Sequence, residues 1–313
     1  MKLDNRIILI LIAAIGIYAI FLFISDYNII SEKISNFKIN YLPLILFLVS
    51  ASWAPLFIKW HFLLKNCEIH VPLKKSILVF LSGPAFEITP GQIGALVKSQ
   101  ILKTSSNIPR TKTVPIIVVE KVYDLIGAVL ASIIGIVILG MEPHLIIIAI
   151  LVLVTIFFFV YYRPASEIFF KQITKRKFFS KYVENISDFY EIVHKSTNVK
   201  VATICILLAL TYWFMVSAAA YYTLIAFDIN ILDYLKVLAI YATSTLLGAI
   251  SFIPAGIGIT EGSITGLFTL NGIDVSTALI LSVMIRVLTL WYTVGVGFVA
   301  LKFTGGFSFK QDS

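Results

Sequence analysis

Residues 251–263, "SFIPAGIGITEGS", decide how this chain folds. They sit within a long apolar stretch, yet a proline and three glycines fall where a helix would otherwise continue, and Glu261 comes with them. Proline and glycine are poor helix-interior residues. A charge at mid-membrane costs on the order of 2.5–3.5 kcal/mol. Backbone broken at that depth is tolerated only where protein or a water-filled cavity surrounds it.

The membrane setting follows from composition. Of 313 residues, 59% are hydrophobic and 13% charged, with mean hydropathy +0.95. A soluble domain carries roughly a quarter charged residues, so the chain reads as a polytopic, all-α membrane protein forming a single membrane domain over 1–313. The net charge of +8 belongs to the membrane map rather than to nucleic acid. Cys67 and Cys205 lie far apart without CxxC spacing, and His61, His70, His144 and His194 are scattered. No metal site, cofactor or catalytic residue is expected from them.

Apolar runs of spanning length, about 20 residues, occur at 7–24, 41–64, 113–139, 145–162, 201–227 and 276–301. The first is too long for a signal-peptide core, and "FISDYN" offers no small-residue cleavage site, so it is read as a retained helix. Two further stretches, 76–103 and 236–272, are each interrupted by Pro and Gly into pieces mostly too short to cross. They read as re-entrant broken-helix hairpins. With the N-terminus cytoplasmic and both hairpins returning to their side of entry, the inner side holds 18 lysines and arginines. The outer side holds three, against six acids. The positive-inside rule favours this arrangement, which also puts the C-terminus in the cytoplasm of a cell-membrane protein.

A repeat then emerges: helix, helix, hairpin, helix over about 7–139, and the same order, inverted, over about 145–302. Inverted repeats with discontinuous helices are a transporter architecture. The basic stretch 163–200 is the linker, and its spaced Phe, Ile and Tyr among Lys and Arg indicate an amphipathic helix against the anionic inner leaflet.

Within apolar elements stand Glu87, Lys98, Glu120, Lys121, Asp124, Glu261 and Arg286. Lys59 and Lys121, with Lys98 behind them, are expected to snorkel toward the inner interface. Glu120 and Asp124 share a helix face as i and i+4. Arg286, about 15 Å into its helix, wants an acidic partner, for which Glu261 is the best candidate. Thr89 is expected to cap a half-helix opening at Pro90, and Thr260 one opening at Glu261. Both N-termini would point inward as anion sites. The expected headgroup site therefore comprises Lys98, Arg286, Thr89, Gly91, Gly94, Gly256, Gly258 and Thr260. A buried network of Glu87, Glu120, Asp124 and Glu261 balances the cations while the site is empty.

"ITPGQIGALVKSQIL", "VVEKVYDLIGAV" and "FIPAGIGITEGSITGLFTLNGIDVSTALILSVMIRVLTLWYTVGVG" resemble, in order and spacing, the lysylphosphatidylglycerol synthase transmembrane family. This is the flippase-like domain of bacterial MprF and archaeal AglD-type proteins. Pro90, Gly91, Gly94, Glu120, Asp124, Pro254, Gly256, Gly258, Glu261 and Arg286 match the family's pattern. Lys98 and Lys121 stand where it usually has Arg, Ala255 replaces a Gly, and Ala95 replaces a Glu: either Glu87 supplies that carboxylate from the other arm of the hairpin, or the site differs from the family's in charge and substrate. The resemblance implies a flippase or scramblase for an anionic phospholipid or a polyprenyl-phosphate-linked lipid. The chain ends about ten residues after its last expected helix, so aminoacyl-transferase activity is not expected. A glycosyltransferase and a second copy of the chain are the expected protein partners. The alternatives are an intramembrane lipid-phosphate-modifying enzyme using Glu120, Asp124 and Glu261, or a non-catalytic partner of a glycosyltransferase.

Overall fold

The computed structural model describes residues 36–86, 89, 94–138, 151, 154–155 and 186–304. The expected first span, most of 145–162, the linker up to 185, and Glu87, Pro90 and Gly91 lie outside the described residues.

Nine helices are found among the described residues. α1 spans Leu42–Asn66, α2 Leu73–Ser82, α3 Val97–Ser106, α4 Arg110–Ile138 and α5 Ile186–Ser196. They are followed by α6 at Val199–Ala226, α7 at Tyr234–Ile250, α8 at Ile259–Leu270 and α9 at Val275–Phe303. Three of them, α1 with its leading 3-10 turn, α6 and α9, are long and apolar enough to cross a membrane. α4 matches them at 29 residues but carries Glu120, Lys121 and Asp124 near its middle. The protein is an all-helical membrane protein.

Short polar side chains set where the later helices begin. Asn198, Asp233 and Asp274 each accept a backbone N–H from the first turn of α6, α7 and α9, satisfying donors that would otherwise be orphaned. Asp233 and Asp274, which a charge count leaves as loop acids, are therefore structural. α9 keeps its direction through Arg286 but widens to a π-helical turn over Val287–Trp291.

Both interrupted stretches double back. α2 passes through a 3-10 turn at Gly83–Phe86, and the returning α3 packs on it. α7 ends at Ile250, a turn at Pro254–Gly256 reverses the chain, and α8 lies along α7. A helix merely kinked by proline would keep its two halves apart. The reversals need close backbone approach. A Cβ on Gly94 would lie 2.1 Å from the Phe86 carbonyl oxygen, and one on Gly256, whose φ is +64°, would lie 2.8 Å from Gly248 Cα.

The packing has a reciprocal pattern. α1 lies against α6; α7 packs on α4, as α2 packs on the second half of α9. α3 contacts α4, as α8 contacts the first half of α9. Gly297 permits the approach of α2's turn, since a Cβ there would meet the Ala85 nitrogen at 2.5 Å. α5 docks across α4, burying Phe189 and Val193 in the core, and the Tyr123 hydroxyl donates to the Ser196 carbonyl at 2.8 Å. This is the described part of the basic linker.

Candidate functional site

The membrane-depth charges assemble into pairs. Lys98, the second residue of α3, is 3% exposed and donates to Glu120 of α4. Its ammonium also lies 4.2 Å from the ring centre of Trp60 on α1, a cation–π contact strengthened by exclusion of water. In the second half the signs are exchanged. Glu261, the third residue of α8, is fully buried and accepts from Arg286 Nε of α9 at 2.9 Å. Arg286 also donates through its terminal NH2 to the Ala255 carbonyl. Each pair ties the returning arm of a hairpin to the long helix that follows it.

A buried ion pair is stable only when its remaining hydrogen-bonding capacity is met. Glu261 meets that condition with its second oxygen, which accepts the Gly258 N–H at 2.7 Å. The same bond caps α8. The helix opens at Ile259 with Gly258, not Thr260, at its N-cap. Thr260 is instead buried inside the first turn, its hydroxyl filling the space left by Gly248 and Gly256. The positive end of α8 is thus already occupied by the protein's own carboxylate, as the dipole favours.

Thr89 donates its hydroxyl to the Phe86 carbonyl and accepts the Gly94 N–H, each at 2.7 Å. The half-helix it is expected to cap opens at Pro90, outside the described residues. α3 starts at Val97 without a side-chain cap.

Lys59 corrects a second expectation. It does not snorkel: its side chain is fully buried and turns inward to Asp124 of α4. Asp124 offers one oxygen to Lys59 and the other to Lys121, 3.8 Å away. Lys98 likewise stays inside, because Glu120 and Trp60 hold it there. In each case a carboxylate in a poor dielectric attracts the ammonium more strongly than a distant interface does.

Lys98, Glu120, Lys121 and Asp124 line a cavity of about 60 Å³. Trp53, Phe80, Tyr212 and Thr293 of α9 line it as well, the Phe80 ring centre lying 5.9 Å from the Lys98 ammonium. Lys98 and Glu120 are almost fully buried, while the side chains of Lys121 and Asp124 are 28% and 27% exposed. Arg286 and Glu261 do not line this cavity. The structure therefore places Lys98 and Arg286 in two separate pairs rather than around one headgroup. Sequence reasoning missed the cavity side of Trp53 and Tyr212, and the partner of Lys59. The signal for Lys59 was a lysine midway along an otherwise apolar helix.

The family model for the lysylphosphatidylglycerol synthase TM region matches residues 10–297. The chain belongs to that family. No curated protein matches the sequence.

Proposed function

We propose that this chain moves an anionic phospholipid or a polyprenyl-phosphate-linked lipid across the cell membrane, as a flippase or scramblase and not as an enzyme. The observation that carries this reading is the mixed lining of the cavity: paired lysines and carboxylates stand there among aromatic and aliphatic side chains. Such a site suits an amphiphile, whose phosphate meets the cations while its apolar part stays with the rings. Glu120 and Asp124 neutralise Lys98 and Lys121 in the empty site. An arriving phosphate takes the place of a carboxylate, so charge is exchanged rather than newly buried.

The family membership supports a lipid-related membrane role. The reciprocal packing of α1 with α6, α7 with α4 and α2 with α9 supports two inverted repeats, about 7–139 and 145–302, and the charge distribution supports cytoplasmic termini. In this reading the cations of the basic segment 163–200 meet the anionic inner leaflet, while the apolar face of α5 within it packs on α4 rather than on lipid. A glycosyltransferase, as supplier or user of the lipid, and a second copy of the chain are the proposed partners.

Mass spectrometry of lipid retained by the purified protein tests the reading. Wild type should carry an anionic lipid enriched over the bulk membrane, and Lys98→Gln should lower that enrichment. A retained-lipid profile identical to the bulk membrane in both proteins would contradict it.

A further inference from the structure

The pairing of Asp124 gives Lys59 a role. Lys59 belongs to α1, does not line the cavity, and reaches it only through Asp124. Its side chain is 0% exposed, so the ammonium is held behind the cavity wall. Asp124 stands in that wall with one oxygen fixed from behind by Lys59 and the other facing Lys121. The two contacts differ in kind: the first is a direct charge-assisted hydrogen bond, the second an ion pair at 3.8 Å.

We infer that Lys59 is a positioning residue that holds the Asp124 carboxylate in place at the cavity, where it serves as a counter-ion of Lys121. The inference rests on the lipid-transport reading above. In the empty cavity Lys121 is neutralised by Asp124; when a phosphate enters, Lys121 turns to it, and when the phosphate leaves, Lys121 returns. That exchange requires a carboxylate that does not swing away from the cavity. A buried ammonium on the far oxygen meets that requirement, because a charge-assisted hydrogen bond fixes one end of the group. Removing Lys59 leaves the Asp124 carboxylate without the bond that fixes it.

The test compares Lys59→Met, Asp124→Asn and the double variant Lys59→Met/Asp124→Asn. Infrared spectroscopy of the purified proteins reads the carboxylate without reference to transport. The carboxylate stretching band that Asp124→Asn removes from wild type should be shifted in Lys59→Met and missing from the double variant. Translocation of fluorescent phosphatidylglycerol in liposomes then reads function, beside the melting temperature. Lys59→Met should lower the rate by about tenfold or more, as small misplacements within a site commonly do. The double variant should regain the wild-type melting temperature, because no buried charge is left unpaired, but not the rate. Recovery of both melting temperature and rate in the double variant would make the pair merely structural and overturn the proposal. An Asp124 carboxylate band at the same position in Lys59→Met as in wild type would also overturn it. Should wild type move no lipid while the band shifts as expected, the transport reading falls and the fixing of Asp124 by Lys59 stands.

Discussion

Arg286→Ala isolates the clamp that closes the second hairpin. The substitution removes the 2.9 Å bond to Glu261 and the bond to the Ala255 carbonyl at the chain reversal. Breaking a buried pair by deleting one partner costs about 3–5 kcal/mol. Here the orphaned carboxylate keeps the Gly258 N–H at 2.7 Å and the positive end of α8, a favourable contact of about 0.3–1 kcal/mol. The lower end of the range, about 3 kcal/mol, is therefore expected. At about 2–4 °C per kcal/mol for a chain of this order of size, the melting temperature should fall by about 6–12 °C. Arg286→Met/Glu261→Gln removes both charges, and the amide oxygen it introduces still accepts the Gly258 N–H. It should recover most of the loss. Arg286→Lys should fall between, because one ammonium cannot serve the carboxylate and the carbonyl with a guanidinium's geometry. Thermal unfolding of detergent-purified protein, followed by tryptophan fluorescence, measures all three. A single-variant shift of less than about 2 °C, less than 1 kcal/mol on the same scale, would refute the reasoning. So would a double variant as damaged as the single.

Gly94→Ala should sharply reduce folded protein, because the added methyl lies 2.1 Å from the Phe86 carbonyl oxygen. Gly266→Ala, with nothing within 4 Å in the same helix as Glu261, should instead stabilise by about 0.5–1 kcal/mol, and expression-normalised yield and melting temperature separate the two. Ala255 sits at φ 53°, where a side chain costs roughly 1–2 kcal/mol. Ala255→Gly should therefore raise the melting temperature slightly, net of about 0.4–1 kcal/mol of added unfolded-state entropy. Single cysteines at Thr104 and Leu270, in a background lacking Cys67 and Cys205, should react with an impermeant maleimide from opposite faces of the membrane. Reaction of both from one face would contradict the inverted repeats.

The hairpins were legible because proline and glycine leave a clear mark on apolar sequence. Segments 76–103 and 236–272 could be read as reversing without any knowledge of packing, and α2–α3 and α7–α8 do reverse. The Glu261–Arg286 pair was legible for a related reason: a deep arginine needs an acid, and few are at hand. The caps were less so. Thr260 is a good capping residue by type, but tertiary space claimed it for the Gly248–Gly256 crossing. The direction of Lys59 could not be read from α1 alone. Whether a lysine snorkels or turns inward depends on a carboxylate 65 residues away in sequence, and periodicity carries no information on that pairing.

Translocation in liposomes tests the central claim most directly. Purified protein is reconstituted with fluorescent phosphatidylglycerol in both leaflets, and a membrane-impermeant reductant bleaches whatever reaches the outer one. Wild type should bleach the inner-leaflet pool far faster than protein-free liposomes, and Lys121→Gln, at a part-exposed cavity residue, should slow that bleaching while leaving the protein folded. Bleaching confined to the outer leaflet in the presence of folded wild-type protein, for phosphatidylglycerol and for a polyprenyl-phosphate lipid alike, would contradict lipid transport by this chain.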